Sequence, residues 1–406
     1  MAQEIEHTHL PIRGLNIHVA QVGKGELGTV VFLHGFPEIW YSWRHQMLAV
    51  AAAGYRAIAP DWRGYGLSDQ PPEHEQASWD DLVADVLAIL DAFSIPKAFL
   101  VGKDFGAWPA YEFALQHPER TCGVVCLGIH FSPSPKPYDA MPEGYYVRRW
   151  REPGRAEADF GRYDVRRVVR TIYVLFAGAE IPTAKEGQEI IADLSTPLPE
   201  WFTEEDLDAY AKLYEKSGFR YPLQMPYRAI HKMPIRLDAK FQAPVFMVMG
   251  EKDYCVKFPG FETAMRSGIM EKFMPDLKIT YVPEGSHFVQ EQLPEQVNEL
   301  LLGFLKDHPV AALHSAEVAL QESIRAARLV RNQPETQPTA KTLNSNGANP
   351  VSLGSGNIRS NICPRVVEPS HRGQSGAVVN QGDYAATNPP YTYQARFSYS
   401  LGATLE

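Results

Sequence analysis

The sequence predicts an α/β fold in which a mostly parallel sheet is flanked by helices and interrupted by a helical insertion. Up to about residue 308, short apolar runs that end in Gly-containing turns alternate with amphipathic stretches. This alternation is typical of parallel strands joined by right-handed helical crossovers. Between about residues 130 and 245 the apolar runs stop and helix-like stretches remain. After about residue 310 the chain becomes rich in Asn, Ser, Gly, Pro and Gln.

Five apolar runs predict the strands, at residues 29–33, 98–101, 122–129, 245–249 and 279–282. Short runs without alternation predict strands that are buried on both faces of a parallel sheet. The stretches between and after them predict the flanking helices, at residues 79–93, 108–116 and 295–306.

The insertion predicts helices at residues 164–176 and 204–217, the second with Thr203 as its N-cap. We expect an α/β core from 1–130 and 237–308, a helical lid from 131–236, and a tail from 309–406. The tail lacks periodicity and has few apolar residues, so we expect it to be largely disordered. Ligands bind such sheets at the carboxyl ends of the strands, which is where we expect the lid.

Composition excludes several classes of function. The net charge is −9, from 39 Lys+Arg against 48 Asp+Glu, so we expect no nucleic-acid partner and no anionic membrane surface. Four scattered cysteines without a CxxC pair favour a reducing compartment and no metal site. The N-terminus lacks a signal-peptide pattern, and no run of 18 apolar residues occurs. The last four residues, ATLE, are not one of the standard peroxisomal or retention signals. We therefore expect a cytoplasmic protein without a membrane span.

The central chemical motif is Gly102-Lys103-Asp104-Phe105-Gly106, between a predicted strand and a predicted helix. This is the nucleophile-elbow pattern, with Asp where many hydrolases place Ser. The glycines allow close packing and a strained backbone at the elbow. The following helix N-terminus favours an ionised Asp104. For this motif alone, the alternative is a loop aspartate that caps a helix.

Residues after three further predicted strands complete a candidate active site. His34-Gly35-Phe36-Pro37 follows the first predicted strand. In hydrolases with a nucleophile elbow, the loop at this position donates a backbone N–H to an oxyanion hole. The predicted donors are the N–H groups of Phe36 and Phe105. Asp253 and then His287 follow the last two strands. The chain order of nucleophile, acid and histidine is that of α/β-hydrolases, and it needs no cofactor.

An aspartate at the elbow changes the expected reaction. A carboxylate is already charged at neutral pH and needs no base to activate it. It can displace a leaving group at a saturated carbon, and His287, held by Asp253, can then activate water to hydrolyse the alkyl ester. The substrate is therefore expected to be a strained ether or a carbon–halogen compound.

The segments at residues 34–44 (HGFPEIWYSWR) and 61–68 (DWRGYGLS), together with the elbow, resemble soluble epoxide hydrolases, and the plant ones most. The resemblance covers about residues 5–308. It implies hydrolysis of small-molecule epoxides, fatty-acid epoxides among the candidates, to vicinal diols. It also implies two lid tyrosines that protonate the epoxide oxygen. The first precedes an E-P-G turn and matches Tyr146, and the second begins a Y-R pair and matches Tyr227.

Three residues depart from the family pattern. Phe105 stands where Trp is frequent, Trp108 where Met is common, and His130 where Pro is common. We expect Trp108 to line and narrow the substrate pocket. Two alternatives remain open: a haloalkane or haloacid dehalogenase with the same Asp nucleophile, and a non-catalytic ligand receptor on this fold. The physiological epoxide, the carbon attacked and the oligomeric state are also open.

Overall fold

One sheet of eight strands lies within residues 4–134, 141–191 and 195–310, the part of the chain that the computed structural model describes. In chain order the strands are β1 (Glu6–Ile12), β2 (Leu15–Val22), β3 (Thr29–Leu33), β4 (Arg56–Pro60), β5 (Ala98–Lys103), β6 (Thr121–Leu127), β7 (Val245–Gly250) and β8 (Leu277–Val282). Their spatial order is β1-β2-β4-β3-β5-β6-β7-β8. β2 is antiparallel to β1 and β4, and every pair from β4 to β8 is parallel. The predicted mostly parallel α/β sheet is confirmed.

The central strands β3, β5, β6 and β7 are buried along their whole length. Their alternate residues enter two hydrophobic cores, with Val31 and Leu33 on one side of the sheet and Val30 and Phe32 on the other. This period of two follows from strand geometry. The prediction that β8 is buried on both faces is wrong, because β8 is an edge strand and most of its residues are only half-buried.

Helices cover both faces and one end of the sheet. They are α1 (Arg44–Ala52), α2 (Trp79–Ala92), α3 (Ala107–Gln116), α4 (Tyr146–Arg151), α5 (Arg155–Phe160), α6 (Val165–Phe176), α7 (Glu204–Ser217), α8 (Arg220–Pro222), α9 (Phe261–Arg266), α10 (Val289–Gln292) and α11 (Pro294–Asp307). A π turn spans Leu223–Tyr227, and 3₁₀ turns span Trp40–Trp43, His74–Gln76, Asp104–Gly106, Pro118–Arg120, Arg228–Lys232, Tyr254–Lys257 and Met270–Lys272.

Helices α4 to α8 belong to the insertion between β6 and β7, and their starts follow the sequence closely. Asp164 caps α6 by accepting a hydrogen bond from the Arg167 N–H. Thr203 caps α7 in a reciprocal capping box with Asp206. Such caps satisfy backbone N–H groups that lack partners within the helix. Both predicted insertion helices are therefore confirmed, whereas the exact limits of the lid stay a prediction.

The carboxyl ends of β3, β5, β7 and β8 meet at one edge of the sheet and position the loops that carry the predicted site. Among the residues described, no helix is long and apolar enough to cross a bilayer. The predicted tail lies outside the described residues from residue 311 onward.

Candidate active site

Asp104 occupies the turn between β5 and α3, in the left-handed backbone region with φ 51°. Asp tolerates this region better than most residues. The turn is tight: a Cβ at Gly106 would lie 2.3 Å from the Leu33 carbonyl oxygen, and a Cβ at Gly35 would lie 2.4 Å from the Asp104 Cβ. Only glycine at these two positions lets the loop after β3 reach the elbow, and the predicted strained elbow is present.

Two backbone donors act on the Asp104 carboxylate. The Phe36 N–H donates to Oδ1 across 3.1 Å, and the Phe105 N–H lowers the pKa of the same carboxyl by hydrogen bonding. The structure therefore brings both predicted oxyanion donors to Asp104. The side chain remains 16% exposed, and Asp104 lines a cavity.

His287 lies between the two acids. Its Nδ1 is 3.0 Å and 3.1 Å from the Asp253 carboxylate oxygens, and its Nε2 is 3.5 Å from Asp104 Oδ2. Both His287 and Asp253 are buried. Asp253 also accepts the Cys255 N–H at 2.9 Å, which fixes the carboxylate and so the ring. Residues far apart in sequence therefore meet in the predicted order.

Burial and neighbouring charges shift the pKa values of Asp104 and His287 in opposite directions. Burial alone would raise the pKa of Asp104, but the His287 contact, the Lys103 ammonium and the Phe105 N–H hold it below its ordinary value. Burial alone would lower the pKa of His287, yet the Asp253 carboxylate contributes to a net pKa well above the ordinary value. Both shifts favour the charged forms of the pair, the Asp104 carboxylate and the His287 imidazolium.

Tyr146 and Tyr227 approach the same cavity from the insertion. Tyr146 begins α4, and Tyr227 ends the π turn. Their ring centroids are 5.9 Å apart, each residue is only 5% exposed, and both line the cavity together with Asp104. Burial, helped by the proximity of Tyr146 and Asp104, raises the pKa of Tyr227 well above its ordinary value. Its hydroxyl is therefore protonated and can donate.

The remaining cavity wall is largely apolar and includes several aromatic rings. Trp108 lies in this wall, with its ring 5.9 Å from that of Trp79. That it narrows a substrate pocket stays a prediction. His130 also lines the cavity, and its ring packs 4.7 Å from Phe261. Phe105 lines the cavity too, so all three departures from the family pattern face this space.

One group of metal-ligand types occurs in the part of the chain described: Asp253, Cys255 and His287, whose ligand atoms lie within 4.8 Å of one another. The three side chains already contact one another, because His287 Nδ1 lies beside both the carboxylate and the thiol. Burial raises the pKa of Cys255 to about 12, so the thiol stays protonated at neutral pH. Thiolate is the form that binds metal, and this group is better suited to orienting His287.

Known proteins share the fold and much of the sequence of this chain. A family model described as the alpha/beta hydrolase fold matches residues 28–257. Epoxide hydrolase 2 of Siraitia grosvenorii is 36% identical over 322 residues, covering 75% of this chain and 99% of that protein. The structure of potato (Solanum tuberosum) epoxide hydrolase I is 32% identical with a TM-score of 0.68, covering 75% and 100% of the two chains.

The chain belongs to the epoxide hydrolases of the α/β-hydrolase family. A Vigna radiata epoxide hydrolase structure, 33% identical, also has a TM-score of 0.68 and covers 75% of this chain and 99% of its own. The resemblance to plant epoxide hydrolases is confirmed, and the protein is an epoxide hydrolase enzyme.

Two residues beside the site were not singled out from the sequence. The Tyr254 hydroxyl is 2.9 Å from the Tyr146 hydroxyl, and the Tyr254 ring lies 4.8 Å from that of His287. Lys103 is completely buried directly before Asp104. Its position within the elbow motif was the available signal, because a lysine in an otherwise apolar buried strand is unusual.

Proposed function

We propose that the enzyme converts epoxides to vicinal diols through a covalent alkyl ester on Asp104. The observation that carries this proposal is the convergence of one carboxylate and two phenols on one cavity, with a histidine–aspartate pair beside the carboxylate. The carboxylate supplies the nucleophile, the phenols supply protons, and the pair supplies a base for water.

In the first step, Asp104 Oδ2 attacks one epoxide carbon while Oδ1 keeps its hydrogen bond from Phe36. The carbon–oxygen bond of the ring breaks, and the released oxygen takes a proton from Tyr146 or Tyr227. The product is a β-hydroxyalkyl ester and a tyrosinate. The phenols matter because an alkoxide is a poor leaving group without a proton, and the buried site strengthens their interaction with it.

Between the two steps, the tyrosinate takes up the proton of the His287 imidazolium, so that both groups are neutral. In the second step, His287 takes a proton from water, and the hydroxide attacks the carboxyl carbon of Asp104. The Phe36 and Phe105 N–H groups stabilise the resulting oxyanion. Collapse of this intermediate breaks the ester bond, and the leaving alkoxide takes the proton from His287. The carboxylic acid left at Asp104 then gives its proton to His287, which restores the carboxylate and the imidazolium. The sum is one epoxide and one water consumed for one diol.

The helical insertion acts in this proposal as a lid that delivers the two tyrosines and shields the ester from bulk water. The largely apolar wall favours apolar epoxides, so fatty-acid and aryl epoxides are the substrates to test. A panel of both, with chiral analysis of the products, should give diols. Halide release from haloalkanes or haloacids without diol formation would instead favour a dehalogenase, and tight binding without turnover would favour a ligand receptor.

The two tyrosines give the first quantitative prediction. Replacing Tyr146 or Tyr227 by Phe removes one hydroxyl and leaves the other to donate. By analogy with the loss of one oxyanion donor, each single change should lower the rate of ester formation by roughly 10²–10³, and the double change should approach complete loss. Ester formation is measured in single turnovers by acid quenching and intact-mass spectrometry.

Tyr55→Phe is a matched control, because Tyr55 is buried in the core on the opposite face of the sheet. It should alkylate at the wild-type rate. If the Tyr146→Phe/Tyr227→Phe double variant also does so, these residues are not the acids, and the epoxide mechanism loses its main support over a dehalogenase.

Tyr254 gives a second prediction through its contact with Tyr146. When the Tyr254 hydroxyl donates to Tyr146, it stabilises the charge that grows on Tyr146 as the proton leaves. Tyr254→Phe should therefore slow ester formation by roughly fivefold to tenfold, the size of one hydrogen bond. Ester hydrolysis should be unchanged. The same single-turnover measurement separates the two steps.

A double-mutant cycle makes this test specific. If Tyr254 acts only through the Tyr146 hydroxyl, Tyr254→Phe should have no further effect once Tyr146 is Phe. Additive losses in the double variant would show that Tyr254 acts by packing against His287 instead.

A further inference from the structure

Lys103 is the last residue of β5 and directly precedes Asp104. The residue is completely buried, and its Nζ has no hydrogen-bond acceptor among the residues described. An unpaired charge in a protein interior is strongly unfavourable. Lys103 is not among the residues that line the substrate cavity, so contact with the epoxide does not account for it.

The ammonium lies next to the acid that orients His287. A Cβ built at Gly128 would lie 2.9 Å from Asp253 Oδ2 and 3.6 Å from Lys103 Nζ. The Asp253 carboxylate and the Lys103 ammonium therefore lie on either side of a space the size of a methyl group and do not form an ion pair. The Phe288 ring centroid is 5.8 Å from Nζ. Lys103 thus faces the catalytic group across a short apolar gap, where charges act at longer range than in water.

The charges around His287 change during the proposed reaction. Before reaction, Asp104 and Asp253 both lie beside His287 and favour the imidazolium. Esterification neutralises Asp104 but leaves Asp253 charged. A base is needed at that moment, and an imidazolium cannot accept a proton from water.

We propose that Lys103 is a positioning residue for the second half of the reaction: its buried positive charge opposes Asp253 and so helps His287 to give its proton to the tyrosinate left by the first step, once the ester has formed. The proposal rests on the covalent route through Asp104. Lys103 acts through His287 and not by touching substrate. In the first half of the reaction, the same ammonium helps to keep Asp104 ionised.

Other groups also face His287. Cys255 and Tyr254 come from the loop after β7, and burial raises the pKa of each above its ordinary value, so both are neutral. Glu38, from the loop after β3, is buried with a raised pKa and interacts with both His287 and Lys103. From α6, the Phe176 ring is 5.8 Å from the His287 ring and carries no charge.

Within this set, Lys103 is the cation that lowers the pKa of His287, whereas burial also lowers it and Asp253 raises it. Removing the ammonium therefore raises the pKa of His287. A smaller neutral fraction remains at neutral pH, and hydrolysis slows there but recovers as the pH rises.

The test compares Lys103→Met, Lys103→Arg and wild type in single turnovers from about pH 6 to about pH 10. In Lys103→Met, the midpoint of the acid limb for ester hydrolysis should move up by about one pH unit. Ester should accumulate near neutral pH, where its decay is about tenfold slower than in wild type. Lys103→Arg keeps the charge and should restore the wild-type midpoint.

Lys252→Met is the matched control, since Lys252 directly precedes Asp253 but its side chain is 54% exposed. The same loss of one charge should leave the profile unshifted, because solvent screens it. If Lys103→Met folds poorly, Lys103→Gln provides a second neutral variant with a polar end.

An equal slowing at every pH, or an unshifted midpoint in both neutral variants, would overturn the role of Lys103. A parallel experiment distinguishes this failure from that of the covalent route. If His287→Gln forms an ester, the covalent route stands whatever Lys103 does, and if no ester forms, both proposals fall.

Discussion

Asp104→Ala should reduce diol formation by about 10⁴-fold or more, to the uncatalysed background. Asp104 is the group that we assign to bond formation with the epoxide carbon, and none of the neighbouring carboxylates can replace it. Asp253 is turned away from the cavity toward His287 Nδ1. Glu38 is buried and accepts hydrogen bonds from the Gly35 N–H and the Gln290 amide.

The fold should survive this change, with a modest cost. Ala at φ 51° is less favourable than Asp by about 1 kcal/mol, and the Phe36 N–H loses its acceptor. Asp104→Asn is the matched control, because Asn keeps the shape and tolerates the left-handed backbone. It should be as inactive as Asp104→Ala but melt closer to wild type.

The measurements are diol formation and thermal unfolding of all three proteins. Near-wild-type diol production by either variant would refute the covalent route, because neither variant has the carboxylate that must form the alkyl ester. Equal loss of activity and of folded protein would not count as support, and the Asn variant guards against that outcome.

The sequence predicted the fold where one physical signal dominates. Continuous apolar runs identified β3, β5, β6 and β7 because both faces of these strands are buried. Capping residues located the insertion helices because a cap depends on a few local residues.

The antiparallel hairpin of β1 and β2, and the strand β4, were not predicted. β1 mixes exposed and half-buried residues with two histidines and a threonine, and its strand character comes from pairing with β2. β4 is only five residues long. Pairing partners that are distant or equally polar leave little trace in a hydrophobicity pattern.

The sequence predicted the site residues that lie just beyond the ends of predicted strands. Asp104 directly follows β5, and Asp253 and His287 lie in the loops that follow β7 and β8. Parallel strands bring their carboxyl ends, and so these loops, together. Tyr146 and Tyr227 came from the family resemblance alone, since their approach to Asp104 depends on how the insertion packs.

The residues that surround the site could not be predicted from the sequence. The Tyr254 contact with Tyr146 joins residues 108 positions apart, and no local pattern encodes such a pairing. Lys103 stands inside a recognised motif, yet its significance lies in its burial and its lack of an acceptor among the residues described. Both are properties of the packed structure.

His287→Gln should stop the reaction halfway. Gln cannot accept a proton from water, so ester hydrolysis should fall by roughly 10²–10⁴. Ester formation needs Asp104 and the tyrosines, and it should continue. Intact-mass spectrometry after mixing with epoxide should then show one adduct equal to the mass of the epoxide, and peptide mapping should locate it at Asp104.

Two further variants fix the meaning of that adduct. His287→Gln combined with Asp104→Asn should give no adduct, which excludes alkylation of other nucleophiles. His117→Gln, at a half-buried histidine after α3, should turn over like wild type and accumulate nothing. An unmodified spectrum from His287→Gln, with epoxide binding still detectable, would mean that water attacks the epoxide directly. In that case Asp104 would act as a base, and its hydrogen bonds from Phe36 and Phe105 would serve to hold that base instead of an oxyanion.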